Sequence, residues 1–83
     1  MIIGKVTDQC NICGQNVRKL RKQKKMSQDQ LAAKLQIEGL GVNQNSISRI
    51  ETGKRLVSDY ELKALAHVFN VDIEELLAED QQS

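Results

Sequence analysis

The sequence predicts an all-α fold, one compact domain of five helices, and three observations carry that expectation. There is no proline in 83 residues and there are only five glycines, so nothing in the composition interrupts long helices. Helix-opening signals recur: Ser27 with Gln30, Ser58 with Glu61 and Asp72 with Glu75 have the spacing of a capping box. Between these marks apolar residues return every three or four positions, the period of one buried helix face.

The elements follow in order. Residues 1–12 show no helical period and are expected to be a flexible arm, ahead of a folded domain over 13–78. Helix 1 is expected over 14–25, with Cys13, Val17, Leu20 and Lys24 along one face and Arg18, Lys19, Lys22 and Lys25 turned outward. Ser27 opens helix 2, whose stripe is Leu31, Ala32 and Leu35. The small Ala32 and Ala33 let another helix approach closely. Residues 36–42 contain two glycines and no period, and read as a connection longer than a minimal turn. Asn43 then caps helix 3, expected over 43–52, with Gly53 as its stop. Helix 4 carries Leu62, Leu65, Ala66 and Phe69 inward and ends at Asn70; a short helix 5 turns Ile73, Leu76 and Leu77 to the core. The polar tail over 79–83 is expected to fray.

Length and charge limit the functions available. A chain this short holds one core and has no room for a catalytic cleft beside a substrate domain. One Phe, one Tyr and no Trp mean that aliphatic side chains build that core. The net charge of +1 conceals an asymmetry: residues 1–55 carry eleven Lys/Arg against four Asp/Glu, residues 56–83 one Lys against seven acids. A molecule with one basic part is suited to a polyanion on that side. No apolar run approaches the roughly 20 residues of a membrane span, and the first residues lack the apolar core of a signal peptide. A cytoplasmic protein is expected, without membrane contact.

Helix 3 carries the functional argument. Ile47 and Ile50 lie on one side; Gln44, Asn45, Ser48, Arg49 and Thr52 share the other. That face holds amides, hydroxyls and one guanidinium, with no acid. Gln or Asn pairs bidentately with adenine and Arg with guanine in the major groove, each discriminating by about 1–3 kcal/mol. An ordinary solvated face more often shows Lys/Glu pairs four apart. Gln28, in the first turn of helix 2, is placed to meet a phosphate oxygen together with the free N–H groups there. Lys54 and Arg55 follow helix 3 and can clamp the backbone beyond it. A helix, a connection and a second helix with a polar face make a helix-turn-helix.

The segment from Asn16 to Leu77 resembles the phage-repressor type of helix-turn-helix domain, the lambda/434 repressor and Cro family. The matching words are Val17-Arg18-Lys19-Leu20-Arg21, Ser27-Gln28-Asp29-Gln30-Leu31-Ala32, Ser46-Ile47-Ser48-Arg49-Ile50-Glu51-Thr52-Gly53-Lys54, and Leu62-Lys63-Ala64-Leu65-Ala66 followed by Val71. The resemblance implies a compact five-helix lambda-repressor-like fold and a regulator of transcription that binds double-stranded DNA, as a homodimer on a two-fold symmetric operator. It implies base reading by Gln44, Asn45 and Arg49, which Ser48 joins as a member of the same face, and phosphate contact by Gln28, Ser46, Lys54 and Arg55, to which Asn43 is added at the start of the helix. Gln28 also matches the glutamine that braces the reading helix. Arg21 and Glu51 match a pair that the family uses structurally, so an ion pair is expected there in place of DNA contact. The connection before helix 3 departs from the family's tight turn by several residues, which bears on the angle of the reading helix.

Other chemistry finds little support. Cys10-Asn11-Ile12-Cys13 is a C-x-x-C, but structural zinc wants four ligands and His67 is the only further His or Cys. A redox pair of the thioredoxin kind needs a βαβ context, and a cysteine cluster shared across a dimer is the remaining metal reading. No metal or cofactor is expected. His67 has no nucleophile near it in sequence and there is no glycine-rich phosphate loop, so an enzyme is not expected. The rival reading is a protein-interaction module of the same fold, an antitoxin or adaptor, with the acidic half as its partner surface and DNA contact secondary.

Overall fold

A computed structural model describes residues 9–79, which form α1 (Gly14–Gln23), α2 (Gln28–Ile37), α3 (Gln44–Glu51), α4 (Asp59–Phe69) and α5 (Ile73–Leu77). The five helices expected are present, and there is no strand among the described residues. Both ends of most helices are closed by local chemistry. Reciprocal capping boxes open α2 with Ser27 and Gln30, α3 with Asn43 and Ser46, and α4 with Ser58 and Glu61. Each satisfies two backbone donors that a helix start leaves bare.

The C-termini of α1 to α4 share one device. In α1 the Met26 N–H reaches back to the Arg21 carbonyl (3.0 Å) and the Lys25 N–H to Lys22 (3.0 Å). The same nested pair joins Leu40 to Leu35 and Gly39 to Gln36 after α2, Lys54 to Arg49 and Gly53 to Ile50 after α3, and Val71 to Ala66 and Asn70 to His67 after α4. This is the Schellman arrangement, which needs a left-handed residue at the turn. Lys25 (φ 59°), Gly39 (98°), Gly53 (78°) and Asn70 (59°) supply it. Helix 1 therefore stops at Gln23, two residues short of the expected end, because Lys25 takes the left-handed conformation without being glycine or asparagine.

Schellman turns usually bury an apolar residue just beyond the left-handed one. Met26, Leu40 and Val71 do so here, packing against the core. The connection between α2 and α3 is thereby structured: Leu40 is half-buried, Val42 is buried, and the Gln36 Nε2 donates to the Val42 carbonyl (2.7 Å).

The core is aliphatic around Phe69, with Val17, Leu31, Leu35, Ile47, Ile50, Leu65 and Leu76 fully buried. α3 packs against both α1 and α2, while α4 and α5 cover the remaining side. Helix 5 departs from expectation. Only Leu76 is buried; Ile73 and Leu77 are 39% and 36% exposed, because a helix of five residues turns one position squarely inward. Asn16 ties its end down, donating to the carbonyls of Leu76 (2.8 Å) and Ala78 (2.6 Å).

Two further contacts set where α3 can sit. A Cβ on Gly14 would collide with the Ile50 carbonyl, so the start of α1 approaches the end of α3 as closely as backbones allow. Beyond α3, Arg55 makes a bidentate pair with Glu61 (3.0 Å each) and closes the loop onto the α4 capping box.

Gly14→Ala is expected to destabilise the domain by about 1–3 kcal/mol through overpacking, although alanine is normally the better helix residue. A thermal melt checks this; an unchanged or raised Tm would contradict the close approach. The hydrogen bonds from Arg55 hold the Glu61 carboxyl below its ordinary value of 4.5. A depressed carboxylate stabilises the fold above its unfolded pKa and loses that contribution as the pH falls through the folded one. The Tm gap between wild type and Glu61→Gln should thus be constant above about pH 5 and narrow below it.

Candidate nucleic-acid interface

The amphipathic division of α3 is complete. Ile47 and Ile50 are 0% and 1% exposed, worth about 1.5–3 kcal/mol each by burial. Gln44, Asn45, Arg49 and Thr52 are exposed and Ser48 is half-buried.

A buried ion pair fixes the helix against α1. Arg21 Nε donates to Glu51 Oε2 (2.6 Å) and its Nη2 to Oε1 (3.1 Å), while Nη1 donates to the Met26 carbonyl (2.8 Å). The carboxylate side chain is 3% exposed, so the pair is shielded from salt. Both partners belong to the scaffold and leave no charge free for a ligand.

From Glu51 a relay runs outward. Gln28 Nε2 donates to Glu51 Oε1 (3.0 Å), and Gln44 Nε2 donates to Gln28 Oε1 (2.6 Å). A carboxylate only accepts, so Glu51 forces the amide of Gln28 to face it, which turns the Gln28 oxygen to Gln44. Gln44 is left with its own carbonyl oxygen and a second N–H. One acceptor beside one donor on a braced side chain is the pattern that matches an adenine edge.

The other candidate residues divide in use. Asn43 and Ser46 cap α3: Asn43 Oδ1 accepts from the Ser46 N–H (2.9 Å) and Ser46 Oγ accepts from the Asn43 N–H (3.1 Å). Their side chains are taken up locally, and the first-turn N–H groups of the helix remain for an anion. Thr52 Oγ1 turns back to the Ser48 carbonyl (3.0 Å). Arg49 reaches the Lys54 carbonyl (3.4 Å) and is otherwise free in solvent. Arg55, expected at phosphate, makes a bidentate pair with Glu61.

Lys54 breaks the pattern of the helix ends. It occupies the place that Met26, Leu40 and Val71 fill with half-buried side chains packed on the core, and it is exposed. The clasp it gives up is supplied from elsewhere. The Cys10 N–H donates to the Gly53 carbonyl (2.7 Å), and Asn11 Nδ2 donates to the carbonyls of Ile50 (3.2 Å) and Arg55 (2.8 Å). Asn11 Oδ1 also accepts from the Gly14 N–H (2.8 Å), capping α1, whose Cys13 makes no side-chain cap. Of the arm expected over residues 1–12, residues 1–8 lie outside the described residues, as do 80–83 of the tail; Cys10 and Asn11 are bound to the α3–α4 loop. An asparagine three residues before Gly14 was the available signal for the cap. Its two long-range bonds have no local signature.

The C-x-x-C is split by burial. Cys10 is exposed, Cys13 is 1% exposed within the core, and desolvation pushes the Cys13 thiol above its ordinary range. That disfavours the thiolate a metal or a redox reaction requires.

Glu51→Ala is expected to cost about 3–5 kcal/mol, because it strands a buried guanidinium and frees Gln28. Chemical denaturation measures the loss; a cost below about 1 kcal/mol would be that of a surface pair.

Comparison with known proteins agrees with this geometry. Residues 17–76, well over half of the chain, match the helix-turn-helix family. No curated protein and no solved structure matches the chain. No described helix is long and apolar enough to cross a membrane. With α2 and α3 set at the core of the matched segment, the chain belongs to the helix-turn-helix family of the Cro/C1 type, a family of DNA-binding regulatory domains.

Proposed function

We propose that the protein is a sequence-specific regulator of transcription, a cytoplasmic repressor that lays α3 in the major groove of double-stranded DNA and acts as a homodimer on a two-fold operator. The observation that carries this reading is the braced polar face of α3: Gln44 held by Gln28, with Asn45, Ser48 and Arg49 beside it and no acid among them. Gln44, Asn45, Ser48 and Arg49 read base edges. The N-terminal N–H groups of α2 and α3, around Gln28 and around Asn43 and Ser46, receive phosphate oxygens. Lys54 meets the backbone past the end of α3. Arg55 contributes by setting the loop through Glu61.

Dimerisation is assigned to the surface next to that loop. Leu56 and Tyr60 are 73% and 79% exposed. Large apolar side chains left bare four positions apart suit an isologous contact, and two copies then reach half-sites about 34 Å apart. Repression follows from occupancy, since a protein seated in the groove excludes another from the same stretch of duplex.

In-vitro selection of duplexes from a random pool, followed by anisotropy titration, tests the assignment. Gln44→Ala and Arg49→Ala are each expected to lower discrimination against a changed base by about 1–3 kcal/mol with the Tm preserved, because both side chains are exposed. Undiminished discrimination in both variants would remove α3 as the reader. An interaction module of the same fold would show little salt dependence toward its partner, whereas duplex binding weakens steeply between about 50 and 200 mM salt.

A further inference from the structure

A second basic surface lies outside the residues assigned above. Arg18, Lys19 and Lys22 of α1, with Gln15, form one wall of an open groove of about 570 Å³ whose other wall is Glu51 and Thr52 at the end of α3, with Gln9 also in its lining. This groove shares no lining residue with the one beside Arg49 and Lys54, so it is a separate flank of the same helix end.

Among the described residues its charge is uncompensated. None of Arg18, Lys19 and Lys22 meets a carboxylate among the described residues, whereas the guanidiniums of Arg21 and Arg55 each do. No acid occurs between residues 14 and 26. Glu51, the acid in the wall, is already neutralised by Arg21. Arg18 and Lys22 stand four apart on one helix face, a like-charge spacing that is unfavourable by itself and is relieved by an anion. An ordinary solvated face interleaves the two signs; this one does not.

We infer that this groove receives a run of duplex phosphates beyond the segment read by α3, so that α1 extends the footprint on DNA. The inference rests on the proposed DNA binding and adds the flank of the duplex that α1 covers. Thr52 joins the two surfaces: by helical spacing it continues the Gln44/Asn45/Ser48/Arg49 face, and it lines the groove. A backbone that leaves α3 at Thr52 passes directly along Arg18 and Lys22. The groove is open and carries three basic side chains along one wall, which suits a sugar–phosphate strand. These contacts add affinity without reading sequence.

The triple variant Arg18→Gln, Lys19→Gln, Lys22→Gln tests this, since all three residues are exposed and the fold is expected to persist, as circular dichroism and Tm will register. Anisotropy titrations on the selected duplex, at several salt concentrations, give the slope of log K against log salt. The slope is expected to fall in magnitude by about 0.9 per lost phosphate, so by about 2–3, with the preference for selected over scrambled duplex unchanged. Shortening the flanks of the duplex should weaken the wild type and leave the variant nearly unaffected. A wild type that binds selectively and a variant with the same slope and the same flank dependence would overturn the groove assignment alone. A wild type that binds no duplex would overturn the proposed function and this inference with it. Inorganic phosphate supplies the remaining arm. Saturable millimolar shifts of the residue 18–22 amides, with no difference in DNA slope between wild type and variant, would make the groove a small-anion site and overturn its assignment to duplex.

Discussion

The buried pair between Arg21 and Glu51 is the constraint on which the surface of this protein depends. α3 has two apolar anchors, and two neighbouring isoleucines leave a short rod free to roll about its axis. The ion pair removes that freedom by joining its last residue to the last turn of α1. Its desolvation is expensive, and a hydrophobic pair of similar volume would often serve stability as well. What the ionic version adds is direction. A carboxylate at the base of the relay orders Gln28 and then Gln44, so an interior charge determines which edge of a surface amide faces outward. Interior chemistry and exterior recognition are thus one connected arrangement.

The helix boundaries were legible in the sequence because their causes are local. Ser27, Ser58, Gly39, Gly53 and Asn70 act within a few residues of themselves, and each stands where a capping or left-handed residue is wanted. Lys25 was not legible, since lysine has no preference for the left-handed turn it adopts; the pull of Met26 into the core outweighs the cost. Ile73 and Leu77 failed for a different reason. Periodicity states which residues share a face, and it does not state how much of a five-residue helix the rest of the molecule will cover.

At the candidate interface the division is similar. The polar face of α3 could be read from spacing alone, because a helix converts spacing into direction. The fates of Arg55 and Asn11 could not, as both are decided by pairing through space with residues six or more positions away. A basic residue next to a reading helix suggests phosphate on chemical grounds, but the nearest carboxylate in the folded chain was a member of a capping box, whose second function the motif does not announce. Family membership supplies the frame for these residues and leaves the particular partners of each to the geometry.

The turn after α3 is fastened by Cys10 and Asn11 and not by the lysine at its tip. Fastening and the exposed tip are therefore carried by different stretches of chain. Residue 54 can be exchanged during divergence with little disturbance to the framework. Residues 10 and 11 have the opposite character: they are remote from any reading residue in sequence, yet drift there would alter fit in every descendant at once. In a lineage of such regulators, variation should accumulate at the tip and stay scarce at the fastening.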